Sequence, residues 1–131
     1  RRRTLILEWT DPAFTAGHWI PDMVTAAGGE SVLSFPGANS QGVSWDEVRE
    51  CGAEVVVVSP CGYRLDGATE LAEKVLADDL LPADAEVWAI DADAVVVRPG
   101  PRVVEGVEVL ASVLHPDRRD DPDPARARRL R

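Results

Sequence analysis

The sequence predicts an α/β fold, a three-layer sandwich on a mostly parallel sheet, and three observations carry that expectation. Short β-branched runs alternate with segments of helical spacing. One run, Val55 to Val58, is apolar at every position, as a parallel strand covered on both faces requires. The length of 131 residues and the 45% apolar content suit one core and leave little room for a second domain.

Taken in order, Thr4 to Glu8 (TLILE) reads as a buried strand, followed by a loop holding Asp11 and Pro12. A helix is expected from about Gly17 to Ala27, with Pro21 in its first turn and Gly28-Gly29 as its stop. Ser31 to Phe35 suits a short strand, and Pro36 to Gly42 a loop. Ser44 and Glu47 have the spacing of a capping box, which opens a helix running to about Glu50. Glu54 to Ser59 is the central strand, ended by Pro60. Leu65 to Leu81 places Leu71, Val75, Leu76 and Leu80 at helical spacing. Glu86 to Ile90 and Ala94 to Val97 read as short strands or as a strand and a loop, and Arg102 to about Leu114 as the last helix, with Val103, Val107, Leu110 and Leu114 on one face. Residues 1–116 are thus expected to form the domain. Residues 117–131, rich in Asp, Pro and Arg, are expected to be a disordered charged tail.

The net charge of −9 is unevenly spread. Between Thr4 and Pro116 five basic residues face nineteen acidic ones, which argues against a nucleic-acid partner, whose phosphates need clustered Lys and Arg. Neither a dinucleotide-binding nor a P-loop glycine pattern occurs. Two cysteines, Cys51 and Cys61, have no CxxC spacing, so neither a zinc ribbon nor a dithiol redox site is expected. No apolar stretch approaches the roughly 18 residues of a membrane span. The chain opens at Arg1, with no Met before Met23, and is expected to be part of a longer product.

In an open parallel sheet, ligands lie beyond the carboxyl ends of the strands. The first such loop concentrates Trp9, Asp11, Phe14, His18 and Trp19 in a chain only 5% aromatic. These rings either form a platform for a flat ligand or close the sheet edge as core. His18 can ligate a metal or donate a hydrogen bond, but as a lone histidine it predicts no metal site. Tyr63 lies in the turn after the central strand and Arg98 in the stiff Arg98-Pro99-Gly100-Pro101-Arg102 link, where its guanidinium suits a carboxylate or amide oxygen. Cys61 stands where a nucleophile would, but no base is identified for it, so a small cysteine-dependent enzyme is the weaker reading and no catalytic residue is assigned.

Four segments together resemble the second lobe of the helical-backbone substrate-binding proteins of ABC importers, the cobalamin-binding branch in particular. They are Glu8 to Glu30 (EWTDPAFTAGHWIPDMVTAAGGE), Val43 to Val48 (VSWDEV), Glu54 to Tyr63 (EVVVVSPCGY) and Arg98 to Pro116 (RPGPRVVEGVEVLASVLHP). The stretch Pro12 to Gly17 and the Gly28-Gly29-Glu30 triplet are the most specific pieces. The resemblance implies a binding protein and not an enzyme: two α/β lobes joined by a long helix, cobalamin or a related corrinoid carried as transported ligand in the cleft, no resident cofactor, and delivery to a membrane permease. The loops beyond the carboxyl ends of the strands are expected to bring Trp9, Phe14, His18, Trp19, Tyr63 and Arg98 to one ligand-facing rim, and the resemblance implies Glu30 as the acid that docks on the permease. Ala94 to Val97 is aliphatic where relatives often carry aromatic residues, so a heme or siderophore-iron complex stands as the alternative ligand. The first lobe and the joining helix are missing from this sequence, a missing N-terminal lobe is the partner that the resemblance implies, and an extracytoplasmic location follows if a signal peptide precedes Arg1.

Overall fold

The computed structural model describes residues 2–17, 19–33, 41–60, 62–92, 102–115, 124 and 126–131, with the side chains of 102–106 excepted. Seven strands make one mixed sheet. They are β1 (Arg2–Thr10), β2 (Ala13–Thr15), β3 (Gly29–Ser31), β4 (Gln41–Gly42), β5 (Val55–Val58), β6 (Glu86–Ile90) and β7 (Ala127–Arg129). Helices α1 (Ile20–Ala26), α2 (Trp45–Glu50), α3 (Leu65–Ala77) and α4 (Arg102–Leu114) connect and cover them.

The centre of the sheet is parallel. β1 pairs with β5 from Thr4↔Val55 to Leu7↔Val58, and β5 with β6 from Val55↔Glu86 to Val58↔Ala89. The other edge of β1 is shared, its first residues pairing in parallel with β3 and its last in antiparallel with β2. Because side chains alternate along a strand, the four valines of β5 divide between the two faces. Val55 and Val57 join Ile6, Trp88 and Ile90 under α1 and α4, while Val56 and Val58 join Leu5, Leu7, Val87 and Ala89 under α2 and α3. All four valines are buried, and each contributes roughly 1.5–3 kcal/mol relative to exposure. The expected three-layer α/β sandwich is therefore observed.

Several local signals act as their chemistry requires. Pro21 sits in the first turn of α1, where a missing N–H costs no internal bond. At α2 both capping-box bonds form: the Glu47 amide donates to Ser44 Oγ at 3.1 Å and the Ser44 amide to Glu47 Oε1 at 3.2 Å.

Three expectations are corrected. The loop at Asp11 and Pro12 is the two-residue link of a β-hairpin, so β1 extends past Glu8 and takes Trp9 into the sheet, with a bulge between Leu7 and Trp9. The strand expected from Ser31 to Phe35 starts earlier, at Gly29, because its partners are the first residues of β1. The segment beyond Asp117 does not end unpacked, since β7 pairs antiparallel with β6 through Trp88↔Arg129, Ala89↔Arg128 and Ile90↔Ala127. Ala127 enters the core under α1 and α4, and Leu130 packs on the opposite cluster. The strand expected over Ala94 to Val97 lies outside the described residues.

Glu86 ties three strands together. Its carboxylate accepts from Arg2 at 2.7 Å and from the Trp88 indole at 2.6 Å, with Arg129 at 3.9 Å. Burial pushes this carboxyl upward, but the bonds from Arg2 and Trp88 and the charges of Arg2 and Arg129 outweigh it and hold it below the ordinary glutamate range. A carboxyl depressed in the folded state adds stability that is complete above its unfolded value of about 4.3 and is lost as pH falls through its folded value. Glu86→Gln is expected to cost about 1–2 kcal/mol at neutral pH and to flatten the loss of stability between about pH 5 and the folded value. Urea melts of both proteins across that range check this, and parallel pH profiles would refute it.

Candidate functional site

β1 continues to Thr10 beyond its last pair with β5, Leu7↔Val58, next to which the Ser59 amide donates to the Leu7 carbonyl at 3.0 Å. That overhang sets Trp9 beside the loop that carries Tyr63. Their rings meet edge to face, centroids 5.3 Å apart and planes at 69°, a geometry favoured by the ring quadrupoles. The Trp9 indole donates to the Asp11 carbonyl at 3.0 Å, which holds the ring against the hairpin turn. Tyr63 closes a turn onto the Pro60 carbonyl at 3.0 Å and accepts from the Ala92 amide at 3.2 Å, so the loops after β5 and β6 are joined. The buried Ser59 hydroxyl donates to the Ile90 carbonyl at 3.0 Å and braces the same two strand ends.

Tyr63 is 39% exposed, the one exposed large hydrophobic side chain among the described residues. It lies close over α3 because Gly67 has no side chain there: a Cβ at that position would stand 2.8 Å from Tyr63 Cδ2. Beside the two rings is a hollow of about 400 Å³ lined by the hairpin tip, Trp45 at the start of α2, and Leu71, Lys74, Val75, Asp78 and Leu80 from the α3 side. Its lining mixes aromatic and aliphatic side chains with the acidic Asp11 and Asp78 and the basic Lys74.

Of the six expected ligand residues, Trp9 and Tyr63 are brought together. Phe14 is the cross-strand partner of Trp9 and is half-buried, its ring over Gly42. Trp19 is the N-cap residue of α1 and packs against the core under α1 and α4. His18 and Arg98 lie outside the described residues, as does Cys61. Glu30 is exposed on β3, opposite Arg3, at the amino end of β1 and so roughly 20 Å along the strand from Trp9. Sequence reasoning missed Trp45 and Lys74 as lining residues: α2 was read from its capping box alone, although Trp45 packs against the core beneath it, and Lys74 was read only as standing off the apolar face of α3.

Among the described residues no cluster of three or more His, Cys, Asp or Glu side chains is placed to hold a metal ion. Burial raises the half-buried Cys51 thiol above its ordinary range despite two backbone hydrogen bonds, which keeps it protonated and a poor nucleophile at neutral pH. The described hollow offers shape, aromatic surface and polar groups at its lining.

No family model matches the chain, and no curated protein matches it. Among solved structures it is similar to the crystal structure of the periplasmic vitamin B12 binding protein BtuF of Vibrio cholerae, with a TM-score of 0.69 and 24% sequence identity. The match takes in 89% of this chain and 45% of that one, so the chain spans about half the length of the protein that it matches. That solved structure is of a vitamin B12 binding protein. The aligned fold and the segments Glu8 to Glu30, Val43 to Val48, Glu54 to Tyr63 and Arg98 to Pro116 point the same way: this chain has the fold of one lobe of a cobalamin-type periplasmic binding protein.

Proposed function

We propose that this chain is one lobe of the substrate-binding component of an ABC importer, gripping cobalamin or a related corrinoid against a second lobe and delivering it to a membrane permease. The observation that carries the reading is the Trp9–Tyr63 edge contact at the carboxyl ends of β1 and β5, in a fold shared with a vitamin B12 binder. A hollow of about 400 Å³ does not enclose a macrocycle with its side chains, so the ligand lies across the rim and a second lobe closes over it. Phe14, His18, Trp19 and Arg98 extend this proposed surface, and Glu30 is the proposed docking acid for the permease. Such work places the protein outside the cytoplasm, as the periplasmic relative is.

The test is a titration of cyanocobalamin into the full-length protein carrying both lobes, with heme and a ferric siderophore as competing ligands. Micromolar or tighter binding of the corrinoid is expected, weakened about tenfold by Trp9→Ala, as loss of one stacked ring of about 1 kcal/mol plus its buried area implies. His18→Gln is expected to change affinity without changing the visible spectrum of the bound cobalt. Preference for heme or siderophore would reassign the ligand, and binding of none of the three would overturn the proposal.

A further inference from the structure

The segment that closes the chain is built like a ligand of the sheet. Its backbone completes the β6 ladder and continues beyond it, the Leu130 amide donating to the Val87 carbonyl at 2.8 Å and the Asp91 amide to the Arg126 carbonyl at 2.8 Å. Its side chains alternate between the two faces. Ala127 and Arg129 lie on the α1 and α4 side, where Ala127 is buried and Arg129 reaches Glu86. Arg128 lies on the α3 side, bonded to Thr69 Oγ1 at 3.3 Å and 3.6 Å from Asp66, and Leu130 packs on the core of that side. Arg131 ends the strip by donating to the carbonyls of Ala85 at 3.0 Å and Pro82 at 2.6 Å. Its hydrogen-bond and ion-pair partners belong to β6, the residue after it, α3 and the turn before β6, and residues 116–125 separate the segment from α4 in sequence.

We propose that the outer edge of β6 is a strand-acceptor site for an extended arginine-bearing segment, filled in cis by residues 126–131 of this same chain and able, once they are removed, to take the same segment supplied from outside. Without that occupant, Glu86 to Ile90 (EVWAI) would present an unpaired, apolar, β-prone edge, the feature that templates pairing with another strand. An antiparallel strand added to such an edge takes its affinity from main-chain bonds and its specificity from alternate side chains. Here the specifying positions are Ala127, buried in the core on the α1 and α4 side, and Leu130, packed on the core of the other side, while Arg131 donates to two carbonyls of the turn before β6. Arg128 contributes less, since its partner Asp66 is 92% exposed. A tethered segment acts at an effective concentration on the order of millimolar, so the cis occupant excludes a free copy at micromolar concentration.

A chain ending after residue 123 and a fluorescent peptide of residues 124–131 test this by anisotropy. Saturable binding to the shortened chain is expected, at least tenfold weaker to the intact chain. Ala127→Asp or Leu130→Asp in the peptide should each weaken binding more than tenfold, and Arg128→Ala less than threefold. A folded shortened chain that binds nothing, or binds a scrambled peptide equally, overturns the proposal, as does equal binding to the intact chain. Should the shortened chain fail to fold, a protease site placed within 118–122 and cut in the native protein decides instead. Replacement of the cut segment by labelled peptide supports the site, and no incorporation overturns it.

Discussion

Val56→Asp is expected to leave the chain without a cooperative fold. Val56 is fully buried in the middle of the sheet, with Leu5 of β1 on one side and Val87 of β6 on the other. It faces the cluster formed with Leu65, Ala68, Ala72 and Val75 of α3. A carboxylate there must be desolvated among methyl groups, or take up a proton and still leave polar atoms unbonded. Either route costs more than about 4–5 kcal/mol, a large share of the roughly 5–15 kcal/mol that holds a domain together. Val56→Ala deletes only two methyl groups and is expected to cost about 2–3 kcal/mol while keeping a cooperative melt. Circular dichroism melts of the two variants separate these cases. A Val56→Asp protein that melts cooperatively within about 5 °C of the parent would mean that β5 is not the central strand.

That central strand was legible because its signal is dense and local. Four consecutive valines between Glu54 and Ser59 admit few structures other than a strand covered on both faces, and Ser44 with Glu47 marks a helix start by side-chain chemistry alone. The elements that escaped depend on partners distant in sequence. β2 is three residues long, and nothing in Ala13-Phe14-Thr15 announces a strand until the end of β1 pairs with it. β7 is more extreme: Ala127-Arg128-Arg129 has the composition of a solvated tail and is ordered by acceptors on Glu86, Thr69, Ala85 and Pro82, some 40 to 60 positions away. The site divides in the same way. Trp9 and Tyr63 were identifiable because one stands at the end of β1 and the other in the turn after β5, the carboxyl edge where ligands lie, whereas Trp45 and Lys74 reach the hollow through the placement of α2 and α3, a tertiary fact with no short-range signal.

The Gly28-Gly29-Glu30 triplet, on which much of the family resemblance rests, has a packing basis that predicts the second large effect. Gly28 adopts φ +91°, a conformation that side chains bearing a Cβ rarely take. A Cβ there would also stand 2.4 Å from His115 Nε2, on a ring that itself lies 3.3 Å from the Gly28 carbonyl and sits at the end of α4. Gly29 is buried, and a Cβ on it would come within 2.8 Å of Leu114 Cδ1 and 3.0 Å of Val24 Cγ1. The pair therefore lets the chain turn out of α1 and enter β3 directly beneath the last turn of α4. Gly28→Val combines a left-handed backbone cost of roughly 1–2 kcal/mol with displacement of the His115 ring, for a total of about 3 kcal/mol. At roughly 3–5 °C per kcal/mol for a domain of this size, the midpoint should fall by about 10 °C or more. His115→Ala in the same background removes the steric part and should restore about half of the loss, leaving the backbone part in place. Full recovery would assign the whole effect to the collision with His115, and a single variant within about 2 °C of the parent would show that the turn does not need glycine.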